Sequence, residues 1–84
     1  MDSFSVIGYD KDYDVYVCYG CFQKEEDAVS CARRLNGSLL KGKLFRICSD
    51  GTKEPIDWIE VYKNMDKENE QIVWRSYGQE GLSS

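Results

Sequence analysis

Residues 13–37 read YDVYVCYGCFQKEEDAVSCARRLNG, and this stretch decides the fold. Its first ten residues, Tyr13 to Phe22, are dominated by β-branched and aromatic side chains, the composition of a strand. Its second part changes period. Ala28, Cys31, Ala32 and Leu35 recur at helical spacing, which predicts an amphipathic helix over about residues 24–36. Glu25, Glu26 and Asp27 suit the positive end of that helix, and Arg33 and Arg34 its negative end. Asn36-Gly37 supplies a left-handed stop. A strand running into a helix within so short a chain predicts an α+β domain.

Working outward, Phe4 to Tyr9 forms an apolar segment followed by the turn Asp10-Lys11-Asp12, so the first two strands form a hairpin. Beyond the helix, Leu39 to Gly42 connects to a strand over Lys43–Cys48, where Leu44, Arg46 and Cys48 alternate with Phe45 and Ile47. Ser49-Asp50-Gly51 is a turn. Residues 55–65 carry two patterns. Trp58, Val61, Tyr62 and Met65 fit a helical stripe after Pro55, while Trp58 to Tyr62 has strand composition. The strand is preferred, paired across the polar Asn64 to Glu70 loop with Gln71 to Tyr77. The expected architecture is a small antiparallel β-sheet of about four to five strands with one main helix, in the order β-β-α-β-β-β. Residues 1–78 form a single domain and 79–84 a flexible tail.

The 84 residues are 42% apolar and 31% charged, with a net charge of −4. That is a globular composition, sized for one modest core. No apolar run has the length of a transmembrane helix, so no membrane association is expected. Met1 to Tyr9 carries Asp2 and no basic residue, unlike a signal peptide, and a cytoplasmic location is expected. Charge is unevenly spread. Residues 28–53 hold about +5 and the remainder about −9.

The four cysteines are expected to be reduced. Cys18-x-x-Cys21 lies on a strand, where residues three apart point to opposite faces, so one metal ion is not readily chelated. Asp10-x-Asp12-x-Asp14 opens like a calcium loop, but Val15 and Cys21 stand where Gly and Glu belong. Histidine is absent, no glycine-rich phosphate loop appears, and no nucleophile has a recognisable activating partner. No catalytic residue, metal ligand or cofactor is expected, and the chain does not read as an enzyme.

Two resemblances follow from these residues. Phe22 to Ala28, then Leu35-Asn36-Gly37, Leu40, Gly42 and Phe45-Arg46-Ile47 stand at the spacing of the second half of an RNA-recognition motif domain, which residues 15–47 resemble. In that family the octamer aligned with Val15 to Phe22 has a basic first residue and aromatic third and fifth residues. Here those positions hold Val15, Val17 and Tyr19. The resemblance implies a candidate binding face of Val15, Val17 and Tyr19, with Tyr19 stacking on a base. Arg33, Arg34, Lys43 and Arg46 would then be phosphate contacts. Val17 to Phe22, with Ala28 and Leu35, is also similar to the opening of a SPOR domain, a peptidoglycan-glycan binder.

Both faces of Tyr13 to Phe22 are apolar. Tyr13, Val15, Val17, Tyr19 and Cys21 line one; Asp14, Tyr16, Cys18, Gly20 and Phe22 line the other. One helix covers only one face. The chain's own C-terminal segment, a partner or a flat apolar ligand covers the second. The functional expectation is a non-catalytic, protein-binding module: an inhibitor, an adaptor or a dimerising accessory protein. Its partner is another protein or a second copy. The alternative is a module for RNA or single-stranded nucleic acid.

Overall fold

The computed structural model describes residues 2–76. The α+β class is as expected, with the two-layer arrangement of one helix on an antiparallel sheet. The chain runs β1 (Phe4–Asp10), β2 (Val15–Phe22), α1 (Glu25–Leu40), β3 (Phe45–Ile47), β4 (Lys53–Pro55), β5 (Trp58–Lys63) and β6 (Gln71–Arg75). Four strands make the main sheet in the order β2-β1-β5-β6, while β3 and β4, among the described residues, pair only with each other. All pairings are antiparallel. β2 and β5 therefore run parallel on either side of β1, and a parallel pair needs a crossover. The helix makes that crossover. The segment over 58–63 is a strand, as preferred, and it pairs with the strand that begins at Gln71. Tyr77 and the tail proposed for 79–84 lie outside the described residues.

β1 is central, and Phe4, Ser5, Val6 and Ile7 along it are all buried. Phe4 and Val6 point toward the helix and meet Ile59, Val61 and Trp74 from β5 and β6. Ala28 and Ala32 are the fully buried helix residues. Their small side chains let the helix backbone approach the sheet closely, while Val29, Leu35 and Leu39 seal the edges of the contact.

The helix is longer than the sequence indicates. It passes through Asn36 and Gly37 and ends at Leu40, so Arg33 and Arg34 sit mid-helix and not in the last turn. The left-handed stop is Gly42, at φ +70°. The Gly42 N–H donates to Leu39 O at 2.9 Å and the Lys43 N–H to Ser38 O at 2.9 Å. These two bonds satisfy carbonyls that the helix end would otherwise orphan. Leu39 packs on the core, which holds the extra turn in place.

β2 contains the feature with most consequence for the site. The β1–β2 register shifts between Val6 and Ile7: Val6 pairs with Gly20, but Ile7 pairs with Cys18. Tyr19 is the extra residue of a β-bulge, which resets the alternation. Val17 and Tyr19 before the reset and Phe22 after it all pack on the helix-side core. Phe22 does not lie on the opposite face from Val17 and Tyr19, as strict alternation requires.

At the far end of β1, Asn64 adopts a left-handed conformation at φ 54°. Its N–H donates to Ser3 O at 2.8 Å, and its Oδ1 accepts from the Ser3 N–H at 3.0 Å. The start of the chain is thereby clamped to the end of β5. Asparagine tolerates this conformation better than most residues.

The two helix-associated glycines respond oppositely to substitution. A Cβ at Gly37 meets nothing within 4 Å, and its φ lies outside the left-handed range. Gly37→Ala raises stability by about 0.5–1 kcal/mol, whereas Gly42→Ala, forced to positive φ, lowers it by about 1 kcal/mol. Urea denaturation midpoints of the two variants check the pair of signs.

Candidate functional site

The β3–β4 ribbon is built by a short turn. Gly51, at φ +89°, donates its N–H to Cys48 O at 2.9 Å. The Asp50 carboxylate accepts from the Thr52 N–H at 3.0 Å and its hydroxyl at 2.7 Å. These bonds favour the ionised carboxylate and hold the Asp50 pKa below its ordinary value. The alternation read from the sequence holds: Leu44, Arg46 and Cys48 are half-buried, while Phe45 and Ile47 are exposed. The ribbon adds Lys53–Pro55, a three-residue strand too short to show a period.

The inner face of the ribbon is locked down. Arg46 Nε donates to Asp10 Oδ2 at 2.8 Å, with side-chain exposures of 13% and 2%. Its guanidinium carbon lies 5.1 Å from the Tyr13 ring centroid, and Nη1 reaches Cys48 Sγ at 3.3 Å. The bond to Asp10 raises the Arg46 pKa further. Asp10 Oδ1 accepts from the Asp12 N–H at 3.1 Å, and the Lys11 N–H donates to Asp57 Oδ2 at 2.8 Å. The β1–β2 turn and the ribbon thus share one polar anchor. Asp10, which the sequence presents as a solvated turn residue, is a buried structural carboxylate.

The outer face is the candidate site. Lys43, Phe45 and Ile47 from the β3 side, with Lys53 and Pro55 from β4, are all exposed. Phe45 is opposite Pro55, and Ile47 is opposite Lys53. Phe45 and Ile47 retain 44% and 65% of their accessible surface. Among the described residues the face carries no carboxylate. The sequence shows this alternation, but whether its apolar side faces the core depends on the Asp10–Arg46 contact, which joins positions 36 residues apart.

The site residues expected from sequence are dispersed. The face bearing Val15, Val17 and Tyr19 is not open: Val17 and Tyr19 pack toward the helix, and Val15 is half-buried opposite Asp10. The Tyr19 ring lies against Gly8, where an added Cβ would come within 2.7 Å of Tyr19 Cε2. Its hydroxyl is buried without a hydrogen-bond partner, and burial raises its pKa. The ring is half-buried against the core. Arg33 and Arg34 are exposed on the helix, Lys43 lies on the outer face of the ribbon, and Arg46 is engaged by Asp10.

The side of the sheet opposite α1 carries a row of aromatic side chains. Tyr16, Tyr9 and Trp58 form a row across β2, β1 and β5, with ring centroids 4.6 and 4.7 Å apart. Carboxylates hold the polar ends of this row. The Tyr9 hydroxyl donates to Asp14 Oδ1 at 2.5 Å, and Trp58 Nε1 donates to Glu60 Oε1 at 2.5 Å. Glu60 is buried and pairs with Arg75 at 3.7 Å. The bulge also places Cys18 and Cys21 together here, since their partners Ile7 and Ser5 are both on this side. The expectation of opposite faces is corrected by that one extra residue. Both thiols are exposed and free. Among the described residues, no group of three or more His, Cys, Asp or Glu side chains is placed to hold a metal ion.

Comparison with family models, with curated proteins and with solved structures finds no match to this chain.

Two tests follow from these contacts. Asp10→Ala leaves the Arg46 cation without its partner and costs about 3 kcal/mol of stability. The Asp10→Ala/Arg46→Met double variant recovers a large part of that loss, as denaturant titration of the three proteins shows. The second test is alkaline. The bond to Asp14, reinforced by burial, pushes the Tyr9 pKa up to about 12 from its ordinary 10.0. Burial and the bond to Glu60 raise Tyr62 as well. The neutral phenol is the favoured form, so the Tyr9 contribution is complete below pH 10 and is lost as pH rises through about 12. Thermal unfolding across this range shows a falling Tm, and Tyr9→Phe makes the fall shallower.

Proposed function

We propose that this chain is a non-catalytic protein-binding module that docks through the outer face of the β3–β4 ribbon. One observation carries the reading. Phe45 and Ile47 stand exposed on a strand whose other side is fixed by a buried ion pair. A pinned strand presents its apolar side chains at low entropic cost, as a binding anchor requires. Pro55 extends the apolar surface, and Lys43 and Lys53 give it a polar rim. Scattered exposed apolar residues need no explanation, but three grouped on one small ribbon form a patch.

A nucleic-acid reading has one observation in its favour, the Tyr16–Tyr9–Trp58 row, because stacked aromatics suit unpaired bases. Its surroundings favour it less. Asp14 and Glu60 flank the row and would repel phosphates. Arg46, expected from the sequence as a phosphate contact, is neutralised by Asp10.

The test compares wild type with Phe45→Ser/Ile47→Ser. Both side chains are solvent-facing, so the two substitutions together change stability by no more than about 1 kcal/mol. The double variant fails to retain a protein that immobilised wild type retains. Equal retention by both proteins contradicts the ribbon as the docking face. A salt-sensitive shift of a labelled single-stranded oligonucleotide, abolished by Tyr16→Ala, favours the nucleic-acid reading instead.

A further inference from the structure

The hydrogen-bond pattern of the ribbon defines what its outer face accepts, given the protein-docking reading above, on which this inference rests. The Ile56 N–H donates to Leu44 O, and the Cys48 N–H to Thr52 O. Antiparallel pairs alternate between bonded and non-bonded positions. Arg46 opposite Glu54 is therefore the bonded pair between them, and Phe45 opposite Pro55 and Ile47 opposite Lys53 are non-bonded. The backbone N–H and C=O groups of Phe45 and Ile47 consequently point away from β4, along an edge that pairs with no other described strand. The β4 edge is less useful, because Pro55 has no N–H to offer. The open edge and the exposed apolar side chains belong to the same two residues.

Charge selects among occupants of that edge. Among the described residues, the outer face holds Lys43 and Lys53 and no carboxylate. A second copy docked ribbon to ribbon would set lysines against lysines. An anionic bilayer attracts larger basic clusters than this pair and repels a chain of net charge −4. An extended segment with apolar and acidic residues at every second position, and so on one face, satisfies the edge, the apolar side chains and the lysines together.

We infer that the β3 edge takes an extended acidic peptide segment that carries apolar and acidic side chains on one and the same face, added to the ribbon as a third strand. The added strand bonds to the Phe45 and Ile47 backbone groups, rests apolar side chains on theirs, and pairs its carboxylates with Lys43 and Lys53.

The probe is a fluorescein-labelled peptide with valine and glutamate at every second position and threonine between them, so that valine and glutamate share a face, measured by anisotropy against the intact protein. Binding weakens about tenfold when NaCl rises from about 0.05 M to about 0.5 M. It is lost in Lys43→Glu/Lys53→Glu, which binds the valine–lysine counterpart instead. Two N-methylated peptides, blocked on alternate amides, separate edge pairing from simple adhesion: one binds as the parent does, and the other binds at least tenfold more weakly. The amide resonances of Phe45 and Ile47 shift on binding. Equal affinity of the two N-methylated peptides overturns strand addition, and indifference to charge reversal overturns the acidic partner. Absence of any peptide binding, or a concentration-dependent dimer in sedimentation, likewise overturns the inference. If wild type still retains a protein that Phe45→Ser/Ile47→Ser does not, the docking reading survives that failure.

Discussion

The ion pair between Asp10 and Arg46 determines how the two halves of the molecule meet. Neither charge is well solvated, with exposures of 2% and 13%, so each depends on the other for compensation. The pair joins the end of β1 to the middle of β3, and Tyr13 stacks on the same guanidinium. The ribbon is otherwise a two-stranded hairpin, which is marginal in water by itself. Its orientation follows from this contact and from the burial of Leu44 and Ile56 beside it. The outward direction of Phe45 and Ile47 is thus a consequence of a carboxylate 35 and 37 positions earlier in the chain.

The sequence shows much of the fold and little of the site, for identifiable reasons. The strand and helix in residues 13–37 are legible because each has a strong period over many residues. The helix end is misplaced because Asn36-Gly37 is a good local stop, yet Leu39 gains enough from the core to carry the helix onward to Gly42. Local preference loses there to tertiary packing. Lys53–Pro55 is too short to carry a pattern and exists as a strand because β3 is opposite it.

The Tyr19 bulge has a different character. Nothing in Val17-Cys18-Tyr19-Gly20 announces an inserted residue, since alternation from Val15 is apolar on both sides. The register is set by β1, where Gly8 leaves room for the Tyr19 ring and Phe4 requires Phe22 on the same side. One extra residue buries Tyr19, brings Phe22 into the core and unites Cys18 and Cys21 on the opposite surface. The resemblance to an RNA-recognition octamer drew attention to Tyr19, and the bulge explains why the accessible aromatic is its strand neighbour Tyr16.

The order β2-β1-β5-β6 also governs the timing of assembly. β1 leaves the ribosome before the other described strands and is an inner strand of the finished sheet. Its partner β2 follows within a few residues, but its other partner, β5, begins only at Trp58. Until then the hairpin presents a bare apolar edge, and the helix lacks half of the surface on which it rests. Closure waits for a pairing that links Phe4 to Lys63 across nearly the whole described chain. Such non-local pairing is slow compared with helix formation. During synthesis, therefore, the most buried strand of the native protein is also the one exposed for the longest time.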